Sequence, residues 1–325
     1  MNDDATFSGL GVLVTGGAGF IGSNLVDALL ERGARVRVLD DLSNGKRENL
    51  AHCASRIEFL EGDIRDPEVC ARACRDVAVV FHQAALGSVP RSMKDPSSSI
   101  AVNVGGTANV FAAARDSGVR RVVYASSSSV YGDSTRLPKR EGEEGRPLSP
   151  YALSKAVDEE LAEVFGRCYG LELVGLRYFN VYGPRQDPHG PYAAVVPLFF
   201  DACLQGLAPV IFGDGTQSRD FTFVADAVWA NLLGAAAPSS ACGKAYNVAG
   251  GNQTSVNALA EAIRQAAGRG APPKHEPPRA GDVLHSAADL TLSASELGYS
   301  PRVGLAEGLR RSLDHYRSAA GNGGR

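Results

Sequence analysis

Thr15-Gly16-Gly17-Ala18-Gly19-Phe20-Ile21-Gly22 follows the apolar run GVLVT and opens a segment, IGSNLVDALLERG, whose apolar residues recur three and four apart. A glycine pattern between a strand and an amphipathic helix leaves few folds open. Glycines make the tight turn and let a pyrophosphate lie against the helix N-terminus, where unbonded N–H groups and the helix dipole favour negative charge. The spacing here is GxxGxxG, and its context marks a dinucleotide site in which Gly16, Gly19, Phe20, Ile21 and Gly22 approach the cofactor. Asp40 ends the second apolar run, RVRVLD, at the place of an acid that accepts from a ribose 2′-hydroxyl. It would repel a 2′-phosphate, so NAD is expected rather than NADP. Lys46 and Arg47 nearby read as solvated loop charges. Asp63 and Ile64, after the third run, are expected to flank the adenine.

Short β-rich runs alternate with helical patterns through the first half: residues 11–15, 35–40, 56–61, 77–82, 121–126 and 171–177. Two of the helical segments between them stop at a glycine, Gly33 and Gly118. This alternation predicts an α/β fold, a Rossmann-like doubly wound parallel sheet with helices on both faces. After about residue 183 the pattern breaks into shorter pieces, with helices expected near 224–236, 255–267 and 305–318. The division expected is therefore residues 1–183 for NAD and 184–325 for a smaller mixed α/β substrate lobe, with at least one segment returning to the main sheet.

Charge narrows the function classes. Thirty-three Lys and Arg against 36 Asp and Glu give a net charge of −3, so no basic face for nucleic acid is implied. No run approaches a membrane span, and the acidic start lacks an apolar leader core, which predicts a cytoplasmic protein. The six cysteines form no CxxC pair and no Cys/His cluster with zinc spacing, so no metal is expected. Cys70 and Cys74, four apart on an expected helix, read as buried thiols in a reducing compartment.

The fifth strand ends in Ser126-Ser127-Ser128-Ser129, and Tyr151 and Lys155 stand at i and i+4 on the next helix. A tyrosine ionises near pH 10, so work as a base near neutrality needs about 3 pH units, roughly 4 kcal/mol of differential stabilisation. One ammonium at about 4 Å in an effective dielectric near 20 supplies about that much. Two function classes follow: an enzyme, or a nucleotide-binding sensor that uses the fold without turnover. Loss of Tyr151 or Lys155 would favour the sensor, and both are present.

With these residues in view, the chain resembles the extended short-chain dehydrogenase/reductase family, and within it the nucleotide-sugar 4-epimerases. The likeness runs from TGGAGFIG through HQAA, SSSSVYG, YALSK, RYFNVYGPRQDP, GDGTQSRDF and RAGD. It implies that Ser127 bonds the sugar O4, that Tyr151 is the acid/base, and that Lys155 holds the nicotinamide ribose. Ser43, Asn44, Gly45, Gln83, Ala84, Ala85, Asn103 and Tyr178 complete the implied cofactor site. On the substrate side the likeness implies Ser128, Ser129, Ala194 and Val195. It also places Asn180, Arg219 and Arg279 on the diphosphate, Asp282 on the uridine ribose and Phe212 against uracil. Ser286 takes the position that walls the sugar C2, where a small residue leaves room. Gly87, Ser88 and Gln186 resemble the subgroup that acts on N-acetylated UDP-hexosamines.

Dehydratases and decarboxylases of the same fold carry an acidic residue after the strand-end serine or threonine. Here Ser128 and Ser129 stand there, which leaves hydride chemistry at C4 alone. The implied reaction is NAD-dependent 4-epimerisation of UDP-GlcNAc/UDP-GalNAc, and also of UDP-Glc/UDP-Gal, through a 4-keto sugar; the alternatives are a 4-epimerase of UDP-glucose only, or another UDP-sugar-modifying enzyme of the same fold, a dehydratase or decarboxylase. Helices near 96–117 and 150–169 resemble those that pair in the family's dimers, so a homodimer is expected.

Overall fold

In the computed structural model, which describes residues 7–188, 193–278 and 284–322, a central sheet carries helices on both faces. The first half runs β1 (Gly11–Thr15), α1 (Phe20–Glu31), β2 (Arg35–Asp40), β3 (Ile57–Glu61), α2 (Pro67–Cys74) and β4 (Val79–His82). Then come α3 (Val89–Lys94), α4 (Pro96–Ile100), α5 (Thr107–Asp116), β5 (Arg121–Ser127), α6 (Pro150–Tyr169) and β6 (Glu172–Tyr178). The six apolar runs are the six strands, their ends shifted by two residues at most. β1, β2, β4 and β5 each carry two or more β-branched residues, which pack on a pleated surface, while β3 and β6 carry one each among leucine and aromatic residues.

The helical pattern around 104–118 is part of a longer rod. α4 continues through a widened π-helical stretch, Ala101–Gly106, into α5. A π turn adds a residue and re-aims its neighbours, and here Asn103 lies within it.

The second half runs β7 (Val181–Tyr182), α7 (Val195–Leu204), β8 (Val210–Phe212), β9 (Ser218–Asp220), β10 (Thr222–Phe223), α8 (Val224–Ala236) and β11 (Lys244–Val248). It ends with β12 (Gln253–Ser255), α9 (Val256–Ala267), β13 (Lys274–Glu276), α10 (Thr291–Leu297) and α11 (Leu305–Asn322). β11 pairs parallel with β6, completing a seven-stranded sheet of order β11-β6-β5-β4-β1-β2-β3. α7 is missing from the sequence reading because Pro197 disguises it. At the third helical position a proline removes an N–H that has no partner within the helix.

Buried side chains gather on both faces of the sheet. One cluster joins Val12, Val14, Leu25 and Leu29 to Ala227, Val228 and Leu232 of α8. On the other face Leu13, Val80 and Val122 meet Val110, Phe111 and Ala162 of α5 and α6. A third cluster, with Phe199, Phe200, Leu259, Ile263, Leu309 and Tyr316, holds α7, α9 and α11 together. No helix among the described residues is long and apolar enough to cross a membrane.

Arg121 fastens the returning helix. Its side chain is 2% exposed and bonds Glu172 at 2.6 Å, and its Nη1 donates to the carbonyls of Gly234 and Ala235 at the end of α8, both at 3.1 Å. Arg121→Leu would strand those carbonyls and leave the partly buried Glu172 without its cation. We expect a loss of about 3 kcal/mol in a urea unfolding curve; a change within about 0.5 kcal/mol would mean that α8 is held by apolar packing alone.

Candidate active site

β1 is followed in the sheet by β2 on one side and β4 on the other, so the loops leaving their carboxyl ends diverge. A crevice opens where they part. It is a cavity of about 560 Å³, walled by the glycine turn, the ends of β2, β4 and β5, the start of α6 and residues 178–187.

The turn is built by close backbone approach. Gly16 has φ +67°, and a Cβ there would stand 2.7 Å from Ala84 N; one at Gly22 would stand 2.1 Å from Gly16 O. No side chain fits either place. Gly19, Phe20 and Ile21 complete this wall, with α1 starting after Gly19.

At the end of β2, Asp40 is buried. It accepts from Ala18 N at 2.9 Å and Leu42 N at 2.8 Å; burial raises its carboxyl while these bonds oppose the rise. Gly45 packs on it, since a Cβ there would stand 2.7 Å from Asp40 Oδ1. Ser43, Asn44, Gly45, Asp63 and Ile64 also border the cavity. The 41–46 loop is tied to both sides of the opening, through Asn44 to Arg91 at 2.9 Å and through Lys46 to Asp187 at 2.8 Å. Asp63 receives the Arg65 guanidinium, which holds its carboxyl below the usual range.

Ser149 caps α6 by accepting from Ala152 N at 3.1 Å, and Pro150 takes the first helical position. This start delivers Tyr151 and Lys155 to the cavity beside Ser126, Ser127 and Ser128. Lys155 is buried, with Nζ donating to Ala125 O at 2.8 Å and to Asp158 Oδ2 at 3.1 Å. Ser127 Oγ accepts from Ser129 N at 3.2 Å and so begins the short 3₁₀ turn Ser128–Tyr131. Ser126 Oγ donates to Glu159, which Arg177 grips at 2.7 Å.

Gln83, Ala84, Ala85, Gly87, Tyr178, Asn180 and Gln186 line the cavity as well. Tyr178 donates to Gln83 at 3.1 Å and accepts from Asn231 at 2.7 Å, while Gln83 donates to Asn231 at 3.0 Å. Burial raises the Tyr178 phenol. Asn231, on α8, completes this ring from a stretch that carries no motif.

Other expected residues lie elsewhere. Asn103 sits behind the wall, accepting from Leu86 N at 2.8 Å and donating to Ser154 Oγ at 3.0 Å. Ser88 caps α3 by accepting from Arg91 N at 3.2 Å. Ala194 and Val195 begin α7, and Phe212 ends β8. Arg219 donates to the carbonyls of Ser218 and Leu284, and Ser286 N donates to Ser218 O at 3.0 Å, so those two residues share one strand edge. The structure does not bring Asn103, Ser88, Ser129, Ala194, Val195, Phe212, Arg219 or Ser286 to the cavity lining. Arg279 and Asp282 lie outside the described residues.

Two buried groups escaped the sequence reading. His82 meets Thr15 at 2.7 Å and Thr107 at 2.9 Å; burial first, and then Lys155, push its imidazole down to about 3, so it is neutral. Asp158 pairs with Lys155, and burial raises its carboxyl to about 6. Its signal was present in the sequence, since 151, 155 and 158 share one helical face. Asp27, His52 and Cys53 bring donor atoms within 4.8 Å of one another, but Arg185 already holds Asp27 at 2.6 Å. Burial pushes Cys70 and Cys74 up to about 12, which makes them inert thiols.

Residues 12–249 match the model of the NAD dependent epimerase/dehydratase family. A UDP-glucose 4-epimerase of Mycolicibacterium smegmatis is 43% identical over 310 residues, 94% of this chain and 98% of that one. The UDP-glucose 4-epimerase of Thermotoga maritima, solved with UDP-glucose, superposes with a TM-score of 0.90 at 38% identity, covering 95% of this chain and 99% of that one. The UDP-N-acetylglucosamine 4-epimerase of Methanobrevibacter ruminantium, in complex with UDP-N-acetylmuramic acid, gives 0.91 at 38%, covering 96% and 100%. The likeness extends to a dTDP-glucose 4,6-dehydratase of Streptomyces venezuelae with NAD bound, at 0.87 and 35%, covering 96% and 98%.

The glycine cradle sets a direct test. Gly22→Ala must push the α1 start off Gly16, and such overpacking costs about 1–3 kcal/mol. We expect the purified wild type to carry NAD and the variant to have lost most of it, measured by chromatography of the denatured supernatant. Equal NAD content in the two proteins would show that the turn is not the cofactor's cradle.

Proposed function

This chain belongs to the NAD-dependent epimerase/dehydratase family, and on that premise we propose that it interconverts the C4 epimers of UDP-hexoses, UDP-GlcNAc/UDP-GalNAc together with UDP-Glc/UDP-Gal. The observation that carries the reading is the meeting of the glycine turn, the strand-end serines, Tyr151 and Lys155 in one cavity. A backbone cradle that any Cβ would fill suits a pyrophosphate. Asp40 spends one acceptor site of each oxygen on backbone N–H groups and keeps the others for ribose hydroxyls.

NAD, when bound, supplies a reversible hydride acceptor. The protein's part is proton handling and orientation. Tyr151 takes the proton of the sugar O4 as C4 is oxidised, and returns it when the 4-keto sugar is reduced on its other face. Lys155 brings its charge to the Tyr151 phenolate and holds the nicotinamide ribose. Ser127 bonds O4, with Ser128 and Ser129 beside it. Asn180, Arg219 and Arg279 hold the diphosphate, Asp282 the uridine ribose and Phe212 the uracil. Redox change is zero over a cycle, so the cofactor has no cause to leave.

The 3₁₀ turn after Ser127 contains no carboxylate, and Glu159 beneath it is engaged by Ser126 and Arg177. That favours epimerisation over dehydration or decarboxylation, which need an acidic residue there. We assign residues 1–183 to the cofactor and 184–325 to the sugar nucleotide, α8 and β11 belonging structurally to the main sheet. A homodimer through α4–α5 and α6 accords with Leu153, 48% exposed on α6. Free cysteines, most of them buried, accord with the cytoplasm.

Incubation with UDP-GlcNAc or UDP-glucose, followed by NMR of the C4 configuration, decides the reaction. Tyr151→Phe removes the proton acceptor and should lower turnover by roughly 10² to 10⁴ while binding survives; activity within a few fold would pass the role to a serine or a water. Ser286→Tyr adds a ring at the proposed C2 wall, at about 1–3 kcal/mol for a tight site. UDP-GlcNAc turnover should fall roughly 10-fold or more while UDP-glucose turnover persists. Equal losses would mean that Ser286 does not face C2.

A further inference from the structure

Tyr151, Lys155 and Asp158 fall within about 60° of arc on α6. Lys155 borders the cavity, yet its side chain is 3% exposed, and that of Asp158 is 1%. An ammonium in so dry a place needs an opposite charge and hydrogen-bond acceptors. Ala125 O and Asp158 Oδ2 take two of its three N–H groups and leave the third for the cavity.

The far side of the carboxylate is also arranged. Oδ1 is buried with no partner in hydrogen-bond geometry, and Thr107 is the hydroxyl beside it, favouring the charged form. Ala84 N donates to Thr15 Oγ1 at 3.3 Å, Thr15 meets His82 at 2.7 Å, and His82 meets Thr107 at 2.9 Å. With the imidazole proton on Nε2, this chain leaves the Thr107 proton for Asp158. The charged and titratable groups that face the carboxylate are Lys155 and Glu159 of α6 and Tyr124 of β5, with His82 of β4 behind Thr107 and also facing Lys155. His82 is neutral, burial holds Tyr124 neutral, and Glu159 is matched by Arg177. Lys155 is thus the cation that Asp158 balances.

We propose that Asp158 is a positioning residue: it fixes the Lys155 ammonium against the end of β5 and sets the pH range in which Tyr151 works. The inference rests on Tyr151 and Lys155 being the acid/base pair. With the carboxylate gone, an uncompensated ammonium gives up its proton more readily. While it keeps that proton, its field on the phenolate is no longer offset. Both effects act in one direction, so both limbs of the pH–rate profile move to lower pH.

The test uses the NAD-containing enzyme with Asp158→Asn, Asp158→Ser and Asp158→Glu. In each, kcat and KM are measured against pH with both UDP-sugars. Without sugar, the phenolate absorbance is titrated, Tyr151→Phe serving as the blank. In the neutral variants both limbs and the onset of phenolate absorbance should move down by about one pH unit or more. KM should change by less than about 3-fold, and Asp158→Glu should restore the limbs. Limbs and phenolate onset that stay in place while kcat falls evenly at every pH would overturn the proposal. So would neutral variants that fail to fold where Asp158→Glu folds, since Asp158 would then serve stability alone. Failure of the wild type to turn over either sugar would count against the proposed function, whereas the phenolate titration judges Asp158 regardless of substrate.

Discussion

Backbone packed on backbone at the ends of β1 and β4 is the contact on which the rest of the site depends. Gly16 lies on Ala84 and Gly22 lies on Gly16, at distances that exclude even a methyl group. The approach lets α1 begin directly behind the sheet edge, so its unbonded N–H groups face the crevice. Ala18 N, in the same turn, donates to Asp40 at the end of β2. Three strand ends and a helix start are thereby held at fixed spacing, and the cradle exists as a consequence of sheet topology.

Three buried cations are matched by carboxylates, Arg121 and Arg177 across elements and Lys155 within α6. Arg121 meets Glu172, Arg177 meets Glu159 and Glu144, and Lys155 meets Asp158, with the cationic side chains 2–7% exposed. Such pairs gain little net stability over apolar packing, yet breaking one is costly, so they act as registration devices. Here Arg177–Glu159 registers α6 on β6, Arg121–Glu172 registers β5 on β6, and Lys155, held by Asp158, ties α6 to β5 through Ala125 O. Glu159, gripped by Arg177, accepts from Ser126 Oγ, and Ser126 precedes Ser127 on the strand. The serine end of β5 and the tyrosine start of α6 are therefore set against each other by ions beneath the cavity.

That division explains what a reader of the sequence sees. The strands of the first half, the glycine turn, Asp40 and the Tyr151–Lys155 pair are local patterns whose spacing carries their geometry. Asp158 was equally local and needed one more step along the helical face. Asn231, reaching Gln83 across 148 positions, had no local trace. α7 was hidden by a proline in its first turn, and β8 with β13 forms three residue pairs, too few for a period. Phe212, Arg219 and Ser286 rest on the order of motifs in the resemblance, and order along a chain does not say which wall a side chain joins; they lie on β8, on β9 and on the edge beside β9, outside the residues that border the cavity.

The loop of residues 41–46 borders the cavity and is held at both ends. It is anchored at its base by Asp40, buried and doubly bonded to backbone, an arrangement that persists only if the turn keeps its shape. Its tip is held by Asn44 to Arg91 and by Lys46 to Asp187, contacts in which the Lys46 and Asp187 side chains are 54% and 39% exposed. Exposed pairs of that kind contribute about 0–1 kcal/mol and compete with water. The loop is nonetheless closed by backbone: Lys46 N donates to Ala18 O at 3.0 Å, and Gly45 packs on Asp40, so the glycine turn and the end of β2 hold it whether or not the exposed pairs form.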